Sequence, residues 1–173
     1  MAWAELSKME RERYENVLVS NAQRFRYWAL KLVDAEYKMG CENILQTDCS
    51  GTVCWPLLRM GYNIRITAQE LFDTVFTAPA SVASWRHTQA LFFQKPDGDI
   101  IHVAPLVGAD VCVNAGDPVS LRTAAYLISW FESHAHAEAV CRELDWTAAD
   151  AISQSRLHAW DLDPTEKLLR GDT

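Results

Sequence analysis

The spacing of apolar residues along the chain changes period twice. Phe25, Trp28, Ala29, Leu32 and Val33 recur at three-to-four spacing, the pattern of a helix with one buried face. Ahead of them Trp3, Leu6, Tyr14, Val17 and Leu18 trace a rougher helical face through a heavily charged segment. Ser20-Asn21-Ala22-Gln23 has the form of a capping box, so the sequence predicts an added helix over 1–19, a seam near Ser20 and a second helix after it. A polar stretch at 42–48 then gives way to an apolar run at 53–60, which should stop at Gly61, a residue suited to a left-handed cap. Thr67-Ala68-Gln69-Glu70 is a further capping box, opening a short helix through Phe76, and 79–87 reads as loop.

The second half begins with period two. Residues 90–94, 100–107 and 111–114 are strands by composition, and Pro96-Asp97-Gly98-Asp99 is a turn. After Asp117-Pro118, Leu121, Ala124, Ala125, Ile128, Phe131, Ala135, Val140 and Leu144 keep a helical face for more than twenty residues. Trp146-Thr147-Ala148-Ala149-Asp150 restarts a helix with Thr147 as its N-cap. The expected fold class is α+β, with helices packed on a small antiparallel sheet. Residues 1–173 form a single domain, with 118–173 mostly helical.

Asp48-Cys49-Ser50-Gly51 lies where the polar stretch meets the apolar run. Free N–H groups at a helix start favour a thiolate, and small neighbours let a carbonyl approach the backbone. His102 and Asn114 follow on neighbouring strands, and a cysteine, a histidine and a third polar group are what thiol acyl transfer requires. The loop between those strands decides whether they meet. A two-residue turn pairs Val107 with Asp110 and puts His102 and Asn114 on opposite faces. A three-residue loop at Gly108-Ala109-Asp110 pairs Val107 with Val111 and makes Asn114 the diagonal neighbour of His102, so the triad requires that loop.

These pieces, taken in order, resemble the NlpC/p-sixty cysteine peptidases of bacterial cell-wall metabolism. They are Tyr37-Lys38-Met39-Gly40, Asp48-Cys49-Ser50-Gly51, Leu91-Phe92-Phe93, His102-Val103 and Val111-Cys112-Val113-Asn114. The resemblance spans roughly 20–116. Cys41 stands where the family has a second glycine, Pro56 falls inside the expected helix, and Pro105 implies an edge or bulge in the His102 strand. The resemblance implies a papain-like fold with Cys49 as nucleophile at a helix N-terminus, His102 as proton carrier and Asn114 as the group orienting its ring. It implies further that Tyr37, Ser50 and Asp48 form the oxyanion and substrate side, Tyr37 through its hydroxyl. The implied substrate is the peptidoglycan stem peptide, cut between D-γ-glutamate and diaminopimelate, with no metal or organic cofactor. Two other readings stand beside it: an acyltransferase or injected amidase toxin using the same triad, and a non-catalytic wall-binding or virion module.

Composition narrows the setting. With 173 residues, 49% apolar and 23% charged, the chain has globular proportions, and a net charge of −7 argues against a nucleic-acid partner. No apolar stretch is long enough for a membrane anchor. Met1-Ala2-Trp3-Ala4-Glu5 runs straight into charged residues, so no signal peptide is expected, and five unpatterned cysteines fit a reducing compartment. Action on a wall would then need phage release, carriage in a virion or injection. Cys54 and Cys112 read as core thiols and Cys41 as a packing residue beside the cleft. His134, His136 and Cys141 read as unsuited to metal, His87 and His158 as surface. Trp85 and Trp160 are candidates for glycan contact.

Overall fold

The computed structural model describes residues 7–80 and 86–160, the last five by backbone only. Trp3, Leu6, Trp85 and the side chains of His158 and Trp160 lie outside the described residues. Helix α1 (Lys8–Leu30) runs unbroken through Ser20. The capping box is at Ser7 and Glu10, where the Glu10 N–H meets the Ser7 hydroxyl at 3.3 Å and the Ser7 N–H meets the Glu10 carboxylate at 2.8 Å. The expected seam fails because a Ser-x-x-Gln pattern caps only a chain whose N–H groups are still free. Inside a formed helix serine costs a few tenths of a kcal/mol. Ala22, Phe25 and Ala29 are the buried positions of α1, all in its second half.

Strands β1 (Glu36–Tyr37) and β2 (Gln46–Thr47) form a short parallel pair ahead of helix α2 (Gly51–Arg59). Pro56 is accommodated inside α2. The helix ends at Gly61 (φ +99°), with the Gly61 N–H donating to Leu58 and the Tyr62 N–H to Leu57. Those two bonds satisfy the last carbonyls of the helix in a Schellman arrangement. The Thr67–Glu70 capping box opens α3 (Ala68–Glu70), which widens into a π-turn over Leu71–Val75 before Phe76.

The sheet has the order β3 (Ala78–Pro79), β8 (Glu138–Glu143), β4 (Gln89–Gln94), β5 (Ile100–Pro105), all antiparallel. A small second sheet joins β6 (Val111–Asn114) to β7 (Ser120–Thr123), followed by α4 (Ala124–Ala135) and α5 (Trp146–Trp160). The expected helical run from Leu121 to Leu144 is therefore corrected: Leu121 lies in β7, and after α4 the run is interrupted by the strand at the heart of the sheet. His136, at φ +51°, ends α4, and Ala137, Ala139 and Cys141 then alternate with Glu138, Val140 and Arg142. Ala135, Val140 and Leu144 fit helical spacing loosely, whereas the period of two over 136–142 is the better match. Thr147 is likewise replaced as N-cap by Asp145, whose carboxylate takes the Ala148 N–H at 3.1 Å.

The two faces of the sheet carry different cores. Ala90, Phe92 and Val103 face a core with Phe25, Leu32, Val53, Leu57 and Phe76, while Leu91, Phe93 and Ala104 face α4 through Leu127 and Phe131. The register of β5 explains how it tolerates Pro105. The Leu106 N–H bonds to Gln89, so along β5 the N–H groups of even-numbered residues point at β4 and those of odd-numbered residues point outward. Pro105 occupies an outward position and removes no bond from the ladder. Phe92 is fully buried between Phe72 and Phe76, with ring centroids 5.2 and 5.3 Å away. Phe92→Ala should cost about 3–5 kcal/mol in denaturant unfolding, whereas Tyr14→Ala on the exposed half of α1 should stay within about 0.5 kcal/mol.

Candidate active site

Asp48 organises the loop on which Cys49 sits. Only 4% exposed, its carboxylate accepts the N–H groups of Gly40 and Gly51 at 2.7 Å each, the Ser50 hydroxyl at 3.0 Å and the Arg65 guanidinium at 3.0 Å. Burial alone would push the Asp48 carboxyl up; the Gly51 and Gly40 N–H groups and the Arg65 charge together hold it below the ordinary range. Arg65 also donates to the Ser50 hydroxyl at 2.7 Å and pairs with Glu42 at 3.0 Å. The Asp48 N–H bonds to the Cys41 carbonyl at 3.1 Å, which gives Cys41 a structural place beside the Cys49 turn. Gly40 adopts φ +80°, a conformation that glycine reaches without penalty.

Cys49 is held just before α2, at the outward edge of β5. Val103 is an outward position there, and its N–H, with those of Ser50 and of Cys49 itself, acts to lower the Cys49 thiol. His102, next in the strand, presents its ring to the α4 side, 9% exposed. The three-residue loop is the one found: the Val107 N–H bonds to Val111 at 2.8 Å and Leu106 bridges Cys112. In consequence His102 Nε2 meets Asn114 Oδ1 at 2.9 Å. With the amide oxygen facing the ring, neutral His102 carries its proton on Nε2 and keeps the Nδ1 lone pair for chemistry. Phe131 of α4 stacks on the ring at 4.8 Å and 27°, fixing its plane.

The charge balance corrects one expectation. Burial pushes the Cys49 thiol up, and the Asp48 carboxylate adds to the rise, against the three N–H groups that favour the thiolate. Burial also lowers His102 to about 4, with the Asn114 bond opposing it. The helix start is present, but desolvation outweighs it, so the resting pair is thiol and neutral imidazole rather than the expected thiolate. Tyr37 is pinned opposite Thr47, two residues before Cys49. Burial, then the neighbouring Cys49 and Asp48, raise its phenol above the ordinary value, which keeps it a donor.

Tyr37, His102 and Asn114 line one groove of about 430 Å³ together with Trp130 and Phe131; Cys49 is not among its lining residues. Cys54 and Cys112 are buried thiols, each pushed up to about 12 chiefly by burial. His87 pairs with Glu143 at 2.6 Å, and the His134 ring stacks on Trp130. Among the described residues no cluster of three His, Cys, Asp or Glu is placed to hold a metal ion, and no helix is long and apolar enough to cross a membrane.

Two residues that support the site, Arg65 and Phe131, are not among the site candidates the sequence offers. Arg65 left a signal, a charge between Ile64 and Ile66 where a solvated arginine would be out of place. Phe131 left none, being one apolar position among many on its helix.

No family model and no curated protein matches the chain. Its structure is similar to a Staphylococcus aureus protein described as similar to a lipoprotein of the NLP/P60 family, at TM-score 0.53 and 21% identity over 70% of this chain and 41% of that one. It is similar also to the NlpC/p60 domain of the peptidoglycan hydrolase SagA, at 0.52 and 18% over 69% of this chain and 96% of that domain. NlpC1 of Trichomonas vaginalis matches at 0.52 and 15%, over 70% and 43%. The chain thus spans less than half the length of the first and third of these proteins. It has the papain-like α+β fold of the NlpC/P60 proteins.

Two predictions test the site. His102 is depressed from 6.5 to about 4 in the folded protein, so its contribution to stability is intact above about pH 6.5 and lost as pH falls towards 4. Stability should drop by about 3 kcal/mol across that window, and His102→Gln should flatten the slope in acid denaturation. Loss through Asp48 comes below its ordinary 3.8 and is separate. At Gly51 an added Cβ would sit 2.6 Å from the Cys41 carbonyl oxygen and closer still to the Thr47 hydroxyl. Gly51→Ala, which normally strengthens a helix, should here destabilise by about 1–3 kcal/mol.

Proposed function

We propose that the protein is a cysteine peptidase that hydrolyses peptide bonds in peptidoglycan stem peptides, between D-γ-glutamate and diaminopimelate. The observation that carries this reading is the 2.9 Å bond between His102 and Asn114. It supports His102 as proton carrier and Asn114 as orienting amide for Cys49 at the start of α2, and the SagA domain, itself part of a peptidoglycan hydrolase, has the same fold.

The uncharged resting pair sets the order of events. As Cys49 Sγ attacks the carbonyl carbon, its proton passes to His102 Nδ1, so charge appears only together with the new C–S bond. The carbonyl oxygen becomes an oxyanion within reach of the Cys49 and Ser50 N–H groups and the Tyr37 hydroxyl. His102 then gives that proton to the leaving amine as the C–N bond breaks, and Asn114 holds Nε2–H throughout. Water attacks the acyl-enzyme, its proton moves to Nδ1, and the thiol is restored as the C–S bond breaks.

Digestion of purified peptidoglycan, with new amine ends identified by mass spectrometry, tests the reading. Cys49→Ala and His102→Ala should each lower the rate at least about a thousandfold, since each makes a bond or moves a proton. Asn114→Ala should retain measurable activity and Asn114→His more, because both leave Nδ1 in place. Intact peptidoglycan after exposure to folded, reduced protein would refute the hydrolase and favour acyl transfer by the same residues.

A further inference from the structure

The groove beside His102 contains a cation for which the steps above have no use. In the small sheet Asn114 pairs with Ser120 and Cys112 with Arg122, which places Arg122 on the same face as Asn114, one diagonal step away. Such diagonals separate backbones by about 7–8 Å, well within the reach of an arginine. Arg122 lines the groove together with His102, Asn114 and Trp130, and its guanidinium lies over the Tyr126 ring, 5.3 Å from the centroid. It is the one Lys or Arg among the lining residues, and among the described residues it makes no ion pair.

The direction of the chemistry says what this cation would meet. The leaving amine must come to His102 to collect its proton, and the groove that His102 lines is lined also by Asn114 and Arg122, so a residue that follows the scissile bond into this groove would meet Arg122. We propose that Arg122 recognises a carboxylate on that residue, making the protein selective for a free acid over an amide there. The inference rests on the hydrolase reading and deepens it. A guanidinium stacked on a ring keeps its N–H edge open and grips a carboxylate through two parallel bonds. The surrounding field offers an acid no help, since the net charge is −7 and Asp117 lines the same groove. Selectivity for an acid must therefore come from one specific contact.

Two synthetic stem-peptide fragments test this, identical except that the residue after the scissile bond ends in a carboxylate or a carboxamide. Wild type should cut the acid about 10- to 100-fold more efficiently, mainly through KM. Arg122→Ala should bring that ratio close to one, Arg122→Lys should recover part of it, and Asp117→Asn should raise it. Equal cleavage of both peptides by wild type, or an unchanged ratio in Arg122→Ala, overturns the assignment and leaves the hydrolase standing. Calorimetric binding of the same peptides to Cys49→Ala protein separates the two failures. Acid-selective, Arg122-dependent binding without cleavage by wild type overturns the hydrolase and supports the assignment, and binding that ignores the acid overturns the assignment.

Discussion

A buried carboxylate is tolerable only where enough donors converge on it, and the loop before α2 is folded around that requirement. Asp48 collects two backbone N–H groups, a hydroxyl and a guanidinium, drawn from Gly40, Gly51, Ser50 and Arg65. Each donor fixes a different part of the site. Gly40 closes the turn that carries Tyr37, Gly51 and Ser50 set the first residues of α2, and Arg65 ties that corner to the chain beyond the helix. Removing Arg65 would leave the buried carboxylate without its countercharge, which costs far more than the pair itself contributes. Burial raises the Cys49 thiol and the same carboxylate adds to the rise, so the framework that positions Cys49 also helps keep it protonated.

Much of this was readable from residue order because the information was local. The cysteine turn, the Thr67 capping box, the Gly61 stop and the register at Gly108-Ala109-Asp110 each depend on a few neighbouring residues, and each is found as expected. The bond from His102 to Asn114 follows from that register alone. The misreadings have a different origin. Ser20 has a cap's sequence without a cap's free N–H groups, and β8 follows α4 after two residues and carries Val140 on its second face, so its alternation merges with the helical face ahead of it. The sign of the Cys49 shift was beyond the sequence, because burial depends on what packs over a residue rather than on what precedes it. Phe131 shows the same limit. Its contact with His102 exists because α4 crosses that face of the sheet.

The late strand and helix complete the site in a way the motif residues do not. β8 enters between β3 and β4, and the turn at His136 that precedes it brings α4 back over Leu91, Phe93 and Ala104. That crossing makes the second wall of the groove and supplies the ring stacked on His102. Cys49, His102 and Asn114 lie on the earlier part of the chain, and α4, which covers that face of the sheet, lies on the later part.

The outward side of β5 has a further consequence. A strand at the border of a sheet ordinarily offers a row of free N–H groups to any other extended chain, an invitation to aggregate. Here position 107 gives its N–H to Val111, and position 105 is a proline with none to give. Those two positions offer no donor to a passing strand, so that part of the border is closed without the lysines that usually guard one. Part of that closure is made by a residue that cannot donate at all. Pro105→Ala would restore one outward N–H to the border and make the protein more prone to self-association.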